Sequence, residues 1–285
     1  MISSAATVNA FTRDGGGGNP AGVVLSADGL SESQMLSIAT TLGFSETAFV
    51  CSSTDATFRV RFFTPTAEVA LCGHATIATW ALLAEEGRIG PGRWTMDTLA
   101  GLQQIEVRAD GLIAMTQNPP RFGPILDPAE IAACLGVPEF REDVPIQVVS
   151  TGLNKILAPI KTLEGLRAVQ PDYEAIEAVA RTYESTGIFA FSLETVHGST
   201  AHCRNFAPVV GIFEDAATGT SCAGVSCLLH RSGKVGDGEL SFEQGYTIDS
   251  PSEIRTRLVS SAGEIEEVWV MGRATTIARQ DLEVA

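Results

Sequence analysis

The chain is poor in several things, and each shortage removes a class of function. Its six cysteines, Cys51, Cys72, Cys134, Cys203, Cys222 and Cys227, include no CxxC pair, so neither a zinc finger nor a dithiol redox motif is expected. In a chain of 285 residues such cysteines read as reduced, mostly buried thiols, which points to the cytoplasm. No apolar run approaches the roughly 20 residues of a membrane span. The opening residues Met1 to Thr7 lack the basic and apolar regions of a signal peptide. Basic residues are also scarce: 19 Lys and Arg against 34 Asp and Glu leave a formal net charge of −15. A nucleic acid or an anionic membrane would be repelled by that charge. A small anion held by local donors would not, because short-range contacts outweigh a distant, screened field. The histidines His197, His202 and His230 show no mutual metal-ligand spacing, and no metal is expected. The stretch Gly16-x-Gly18-x-x-Ala21 imitates a short dinucleotide fingerprint. That fingerprint needs a helix after it, whereas Pro20 and a strand-like run follow here, so a hairpin loop is the better reading.

What the chain does contain is a fold-forming composition, 45% apolar and 19% charged, and an internal echo. Arg61-x-Phe63-x-Pro65 returns as Arg204-x-Phe206-x-Pro208, 143 residues later. Gly73 and Gly87 return as Gly219 and Gly233, each 146 residues on, with Leu82-Leu83 matching Leu228-Leu229 between them. This period is far too long for a solenoid repeat. It marks a duplicated lobe.

Hydrophobic periodicity divides each copy into strands and two longer helices. The first lobe, residues 1–118, carries strand-like runs at 8–11, 21–25, 48–51, 57–63, 94–97, 103–108 and 112–116. Its helices are expected over 31–42, with Ser31 as cap and Met35, Ile38, Ala39 and Leu42 on one face, and over 74–86, stopped by Gly87. Asn118-Pro119-Pro120 interrupts the strand pattern, and residues 119–144 read as a linker with a short helix at 128–135. The second lobe, 145–266, has strands at 146–150, 155–160, 188–193, 200–205 and 240–243, and helices at 173–182 and 220–232. A closing strand at 267–271 begins a tail, 267–285, that is expected to return to the first lobe. The architecture is therefore α+β: two pseudo-symmetric lobes, each a curved, mostly antiparallel sheet wrapped on a central helix.

The matched helices begin at Cys72-Gly73-His74 and Thr218-Gly219-Thr220. Helix starts carry unpaired N–H groups and a positive partial charge, and glycine lets a ligand approach the backbone. If the lobes are related by a pseudo-twofold, both starts face one cleft and hold a carboxylate there. Glu46, in the loop Gly43 to Thr47, is flanked by the apolar Phe44, Ala48 and Phe49, a setting that suits a proton-transferring carboxyl group. A solvated turn residue is the plainer reading of Glu46 taken alone.

Several motifs occur in one order: Val8-Asn9-Ala10-Phe11-Thr12, Gly18-Asn19-Pro20-Ala21-Gly22-Val23, Phe44-Ser45-Glu46-Thr47-Ala48-Phe49, Arg61-Phe62-Phe63-Thr64-Pro65 with Glu68, Leu71-Cys72-Gly73-His74-Ala75-Thr76 and Glu214-Asp215-Ala216-Ala217-Thr218-Gly219. In these the chain resembles the PhzF family of phenazine-biosynthesis isomerases, within the diaminopimelate epimerase-like superfamily. The resemblance implies Glu46 as the proton-transferring residue, with His74 and Asp215 as its catalytic companions. It implies substrate contacts from Ser45, Asn19, Gly73, Gly219 and Thr220, no cofactor, and a homodimer. Thr220 stands where the family often has serine, so the resemblance does not carry the phenazine precursor over as substrate. The implied reaction moves a proton within a small unsaturated or cyclic carboxylic acid.

Two other readings stay open. Racemases of the same superfamily use a thiol before each matched glycine; here the first position is Cys72 and the second Thr218, so one thiol of that pair is missing. Cys72 reads more simply as a small buried apolar residue. A metabolite-binding protein on the same scaffold would need no Glu46, and would not exchange substrate protons with heavy water.

Overall fold

The structure, a computed structural model, describes residues 2–136 and 139–283. In chain order the elements are β1 (Ile2–Ala10), β2 (Asn19–Val24), α1 (Glu32–Leu42), β3 (Thr47–Cys51), β4 (Phe58–Phe63), β5 (Glu68–Val69), α2 (Gly73–Glu85), β6 (Gly92–Asp97), β7 (Gln103–Val107) and β8 (Ile113–Gln117). They continue with β9 (Arg121–Ile125), α3 (Pro128–Leu135), β10 (Gln147–Ser150), β11 (Asn154–Pro159), α4 (Leu163–Ala168), α5 (Tyr173–Thr182), β12 (Ile188–Ser192), β13 (Ala201–Ala207) and β14 (Ile212–Asp215). The last are α6 (Gly219–Arg231), β15 (Gly238–Gln244), β16 (Ser252–Ser261), β17 (Glu264–Gly272) and β18 (Ala274–Glu283). The chain forms two compact units, Met1–Thr116 with Met271–Ala285, and Gln117–Val270. Residues 119–144 carry β9 and α3 and cluster with the second unit.

Each unit is α+β, mostly antiparallel strands around one buried helix, and the strands of the two units share a pairing plan. In unit one β1 pairs antiparallel with β2, β2 parallel with β3, β3 antiparallel with β4, β4 parallel with β6, and β6 antiparallel with β7. In unit two the same sequence of pairings runs β10 with β11, β11 with β12, β12 with β13, β13 with β15 and β15 with β16. The echo read in the sequence is thus a repeat of topology.

The repeated arginines show what the echo conserves physically. Arg61 forks onto Glu68 (2.7 and 2.6 Å) and lies over the Phe63 ring. Arg204 forks onto Glu214 (both contacts 2.9 Å) and lies over Phe206. Planar two-point pairs of this kind fix a side chain's orientation as well as its charge. The Arg61 fork holds the Glu68 carboxyl below its ordinary value, against the opposing effect of burial.

α2 and α6, 13 residues each, are the central helices. Along α2, Ala75 to Trp80, Leu82 and Leu83 are buried, and such a helix, apolar on all sides, belongs inside a core. Its two threonines satisfy themselves: Thr76 donates to the Cys72 carbonyl and Thr79 to that of Ala75, both at 2.7 Å. The peripheral helices are amphipathic and cover the other sheet face. α1 starts in a capping box between Ser31 and Gln34, ends at Gly43 with φ 70°, and packs Met35, Ile38 and Ala39 on Ala5, Val24, Phe49 and Phe63. In unit two, α3, α4 and α5 cover Val148, Ile156, Ala158, Ile188, Ala190 and Phe206.

Several elements escaped the sequence reading for identifiable reasons. β9 contains Gly123 and Pro124, which argue against a strand, yet it pairs with β10 directly after the prolines. β16 turns Ser252 and Thr256 inward among its apolar residues, which blurs the alternation. β18 is mostly exposed and polar, and its place is set by pairing with β1.

Candidate active site

Glu46 is seated by backbone geometry. It closes the loop after α1 and precedes β3, and its carbonyl accepts a hydrogen bond from the Gly22 N–H at 3.2 Å. Position 22 has no room for a side chain: a Cβ there would lie 2.6 Å from Thr47 Oγ1 and 2.7 Å from Leu42 Cδ1. A glycine therefore lets β2 close against the first residue of β3 and anchors the loop that presents Glu46. The Glu46 side chain remains 19% exposed and reaches toward His74, with Oε2 to Nε2 at 3.4 Å.

His74 is the hub of unit one's polar cluster. It is the second residue of α2, after Cys72 in extended backbone at the helix cap. Its Nε2 also lies 3.4 Å from Ser45 Oγ, and its Nδ1 lies 3.4 Å from Cys72 Sγ. One imidazole thus stands between a carboxyl and a thiol, and a ring with two nitrogens can pass a proton between them. Contacts of 3.4 Å are loose, as catalytic hydrogen bonds often are before a ligand tightens them. Cys72 places no side-chain cap on α2, and nothing lies within 4 Å of where a Cβ on Gly73 would project. A ligand has access to that helix start. Asn19 is buried at the head of β2. Of the apolar residues expected around Glu46, Phe49 packs in the α1 cluster and Phe44 is half-buried.

Donor atoms of Glu46, Cys72 and His74 lie within 4.8 Å of one another. Among the described residues this is the one grouping of three such ligands, and its chemistry would also accept a divalent cation. Two of the remaining histidines are engaged elsewhere. His202 meets the Glu243 carboxylate at 2.8 Å, both buried. Burial pushes His202 below its ordinary value despite that neighbour. Burial alone would raise Glu243, but bonds from the Val196 and His197 N–H groups and the His202 ring hold it low. His230, in the last turn of α6, meets Asp237 at 3.1 Å.

In unit two, Asp215 ends β14 and accepts a 2.5 Å hydrogen bond from Thr218 Oγ1. Gln244, which the sequence reading did not single out, ties this corner together. Its Oε1 accepts from the Thr218 N–H at 3.0 Å, and its Nε2 donates to the Asp215 carbonyl (2.8 Å) and to Thr218 Oγ1 (3.0 Å). The signal for it was a Glu243-Gln244 pair ending an otherwise ordinary strand. Gly219 is buried and Thr220 half-buried, with the Thr220 carbonyl accepting from Thr151 Oγ1 at 3.1 Å. The structure thus gathers Ser45, Glu46, Gly73 and His74 at the start of α2, and Asp215, Gly219 and Thr220 at the start of α6. It adds Cys72 to the first group as a contact of His74.

The profile of a family described as phenazine biosynthesis-like protein matches residues 8–280. The chain is 35% identical over 266 residues to the protein named uncharacterized isomerase YfhB of Bacillus subtilis (strain 168), covering 90% of this chain and 91% of that one. It is 28% identical to the trans-2,3-dihydro-3-hydroxyanthranilate isomerase of Pseudomonas aeruginosa, covering 95% and 96% of the two chains. A crystal structure of a Bacillus anthracis phenazine biosynthesis protein of the PhzF family superposes over the whole of both chains with a TM-score of 0.92 at 30% identity. Family profile, relatives and fold agree, and the chain belongs to the PhzF family of isomerases.

Proposed function

We propose that the protein moves a proton between two carbons of a small unsaturated or cyclic carboxylic acid, with Glu46 as general acid and base and no cofactor. The Glu46–His74 contact of 3.4 Å carries this reading. A half-buried carboxyl group, presented by a glycine-anchored loop against an imidazole, can take a proton from an activated carbon and return it elsewhere. His74 orients the carboxyl and moves charge away from it. The uncapped start of α2, open at Gly73, stabilises negative charge on the substrate's oxygens. Within unit two, Asp215, Gly219 and Thr220 are proposed to form a second polar corner suited to a carboxylate.

The test is proton exchange in heavy water, beginning with trans-2,3-dihydro-3-hydroxyanthranilate, the acid named for the Pseudomonas aeruginosa relative, and extending to other small unsaturated acids. Wild-type protein should wash deuterium into a carbon position of one of them. Glu46→Gln should lower that exchange by about 10³-fold while leaving the thermal transition in place. Full exchange in Glu46→Gln would remove Glu46 from the role.

A second reading has one observation in its favour, the 3.4 Å approach of Cys72 Sγ to His74 Nδ1. A thiol beside an imidazole is a candidate base for a one-thiol epimerase. Cys72→Ser separates the two: under the isomerase reading its exchange rate stays within about threefold of wild type, whereas a thiol base would lose orders of magnitude.

A further inference from the structure

The chain contains only three lysines. Two are surface residues in ion pairs, Lys161 with Glu139 and Lys234 with Asp143. The third, Lys155 on β11, is 5% exposed. No hydrogen bond or ion pair joins its ammonium to any described residue, and Asp215 acts on it only through space. A buried ammonium without partners is among the least favourable groups a core can hold.

The sheet register shows which way it faces. Successive residues of a strand point to opposite faces, and register partners share one. Ile156 and Ala158 lie in the cluster under α3, α4 and α5. Lys155 and Leu157 therefore face the other way, toward α6. Lys155 is the register partner of Val149, and both Val149 and Leu157 come within 4 Å of where a Cβ on Gly224 of α6 would project. The adjoining turn touches the first residues of that helix: Thr151 bonds the Thr220 carbonyl, and Gly152 packs on the Thr220 methyl.

The same face continues across the sheet from Leu157 to Phe189, Asn205 and Asp215, partner by partner. Asn205 is 3% exposed, and its Oδ1 has no hydrogen-bond partner. Asp215 is close enough to act on Lys155 electrostatically, and its carboxylate accepts a hydrogen bond from Thr218 Oγ1. Because Thr218 donates its hydroxyl to Asp215, it leaves α6 without a side-chain cap. A buried, unpartnered cation, an unpartnered amide oxygen and an uncapped helix start converge on one interior corner of unit two. Each is poorly satisfied by the protein and well satisfied by an anionic ligand bearing a hydrogen-bond donor.

We propose that Lys155 is an anion-binding residue whose ammonium, together with the start of α6, receives a small carboxylate, with Asn205 accepting a hydrogen bond from a hydroxyl or amino group beside it. This rests on the reading that the substrate is a carboxylic acid, and narrows it to acids with a neighbouring donor. Burial pushes Lys155 down to about 7, with Asp215 opposing the fall. The other buried titratable groups on this face and on α6 are the thiols Cys203, Cys222 and Cys227, and burial raises Cys203 and Cys227. An arriving carboxylate would keep Lys155 charged.

Three lysines make the test direct. Protein carrying ¹³C only at lysine Cε gives three side-chain NMR signals, and the one missing from Lys155→Met belongs to Lys155. Benzoate, 2-hydroxybenzoate and benzamide serve as probes. The Lys155 signal should shift saturably with benzoate and not with benzamide. Lys155→Met should weaken benzoate binding at least about tenfold in calorimetry, as loss of a charged hydrogen bond would. 2-Hydroxybenzoate should bind more tightly than benzoate, and Asn205→Ala should erase that difference. A Lys155 signal unmoved by benzoate, one moved equally by benzamide, or unchanged affinity in Lys155→Met overturns the proposal. Glu46→Gln keeps the benzoate response while losing deuterium exchange, so failure here and failure of the proton-transfer reading are seen separately.

Discussion

At the scale of single residues, Lys155 makes a stability prediction independent of any ligand. Its folded value near 7 lies well below the ordinary 10.5, so between those values the unfolded chain binds more protons than the native one. Stability then rises with pH through that window, and the burial cost is complete below pH 7. A displacement of this size corresponds to a cost on the order of 5 kcal/mol. Urea unfolding at pH 6, 8 and 10 should find Lys155→Met more stable than wild type at pH 6, with the gap closing toward pH 10. A variant that is less stable at every pH would mean that the lysine is satisfied inside the protein. Glu46 and His74 make a contrasting case. Their substitutions should change exchange rates and leave unfolding midpoints nearly unmoved, because both stand at the rim of the core with part of their surface in water.

Between residue and whole chain stand the elements, where the repeat acts. Arg204 and Glu214, with side chains only 8% and 10% exposed, form a desolvated pair whose value lies in completeness. Arg204→Met should cost about 3–5 kcal/mol, because it strands the Glu214 carboxylate. Adding Glu214→Leu should recover much of that loss in a double-mutant cycle, and strict additivity would show that the fork carries no coupling. The β2–β3 contact makes a second element-scale prediction. Gly22→Ala drives a methyl into Thr47 and Leu42, and should destabilise by about 1–3 kcal/mol. It should also lower exchange activity more than the stability loss explains, since the same contact seats the Glu46 loop. Melting temperature and exchange rate measured on one sample decide this. α1 and α5 were readable in advance because caps and periodicity are local; α1 carries its capping box and α5 its Asp172 cap in the sequence itself. β9 and β18 were not, because what makes them strands is a neighbour far away in the chain.

For the whole molecule the excess of acidic residues sets an electrostatic expectation. A net charge of −15 works against the compact state by self-repulsion, and salt screens it. The melting temperature should rise between about 10 and 200 mM sodium chloride, across which the Debye length falls from about 30 Å to under 10 Å; a fall would mean that attractive pairs such as Arg61–Glu68 outweigh the repulsion. The amino-acid sequence by itself determined that there are two copies of one plan, each with a buried helix entered at a glycine, because periodicity, caps and repeated motifs are properties of neighbouring residues. It also marked Glu46, His74 and Asp215 through their motifs. Only the tertiary structure decided which polar groups meet. Strand pairing and helix burial bring Cys72 and Glu46 to the two sides of one imidazole, and the alternation of β11 turns Lys155 toward α6. Such contacts depend on register across distant segments, and a displacement of one residue would send each of those side chains to the opposite face.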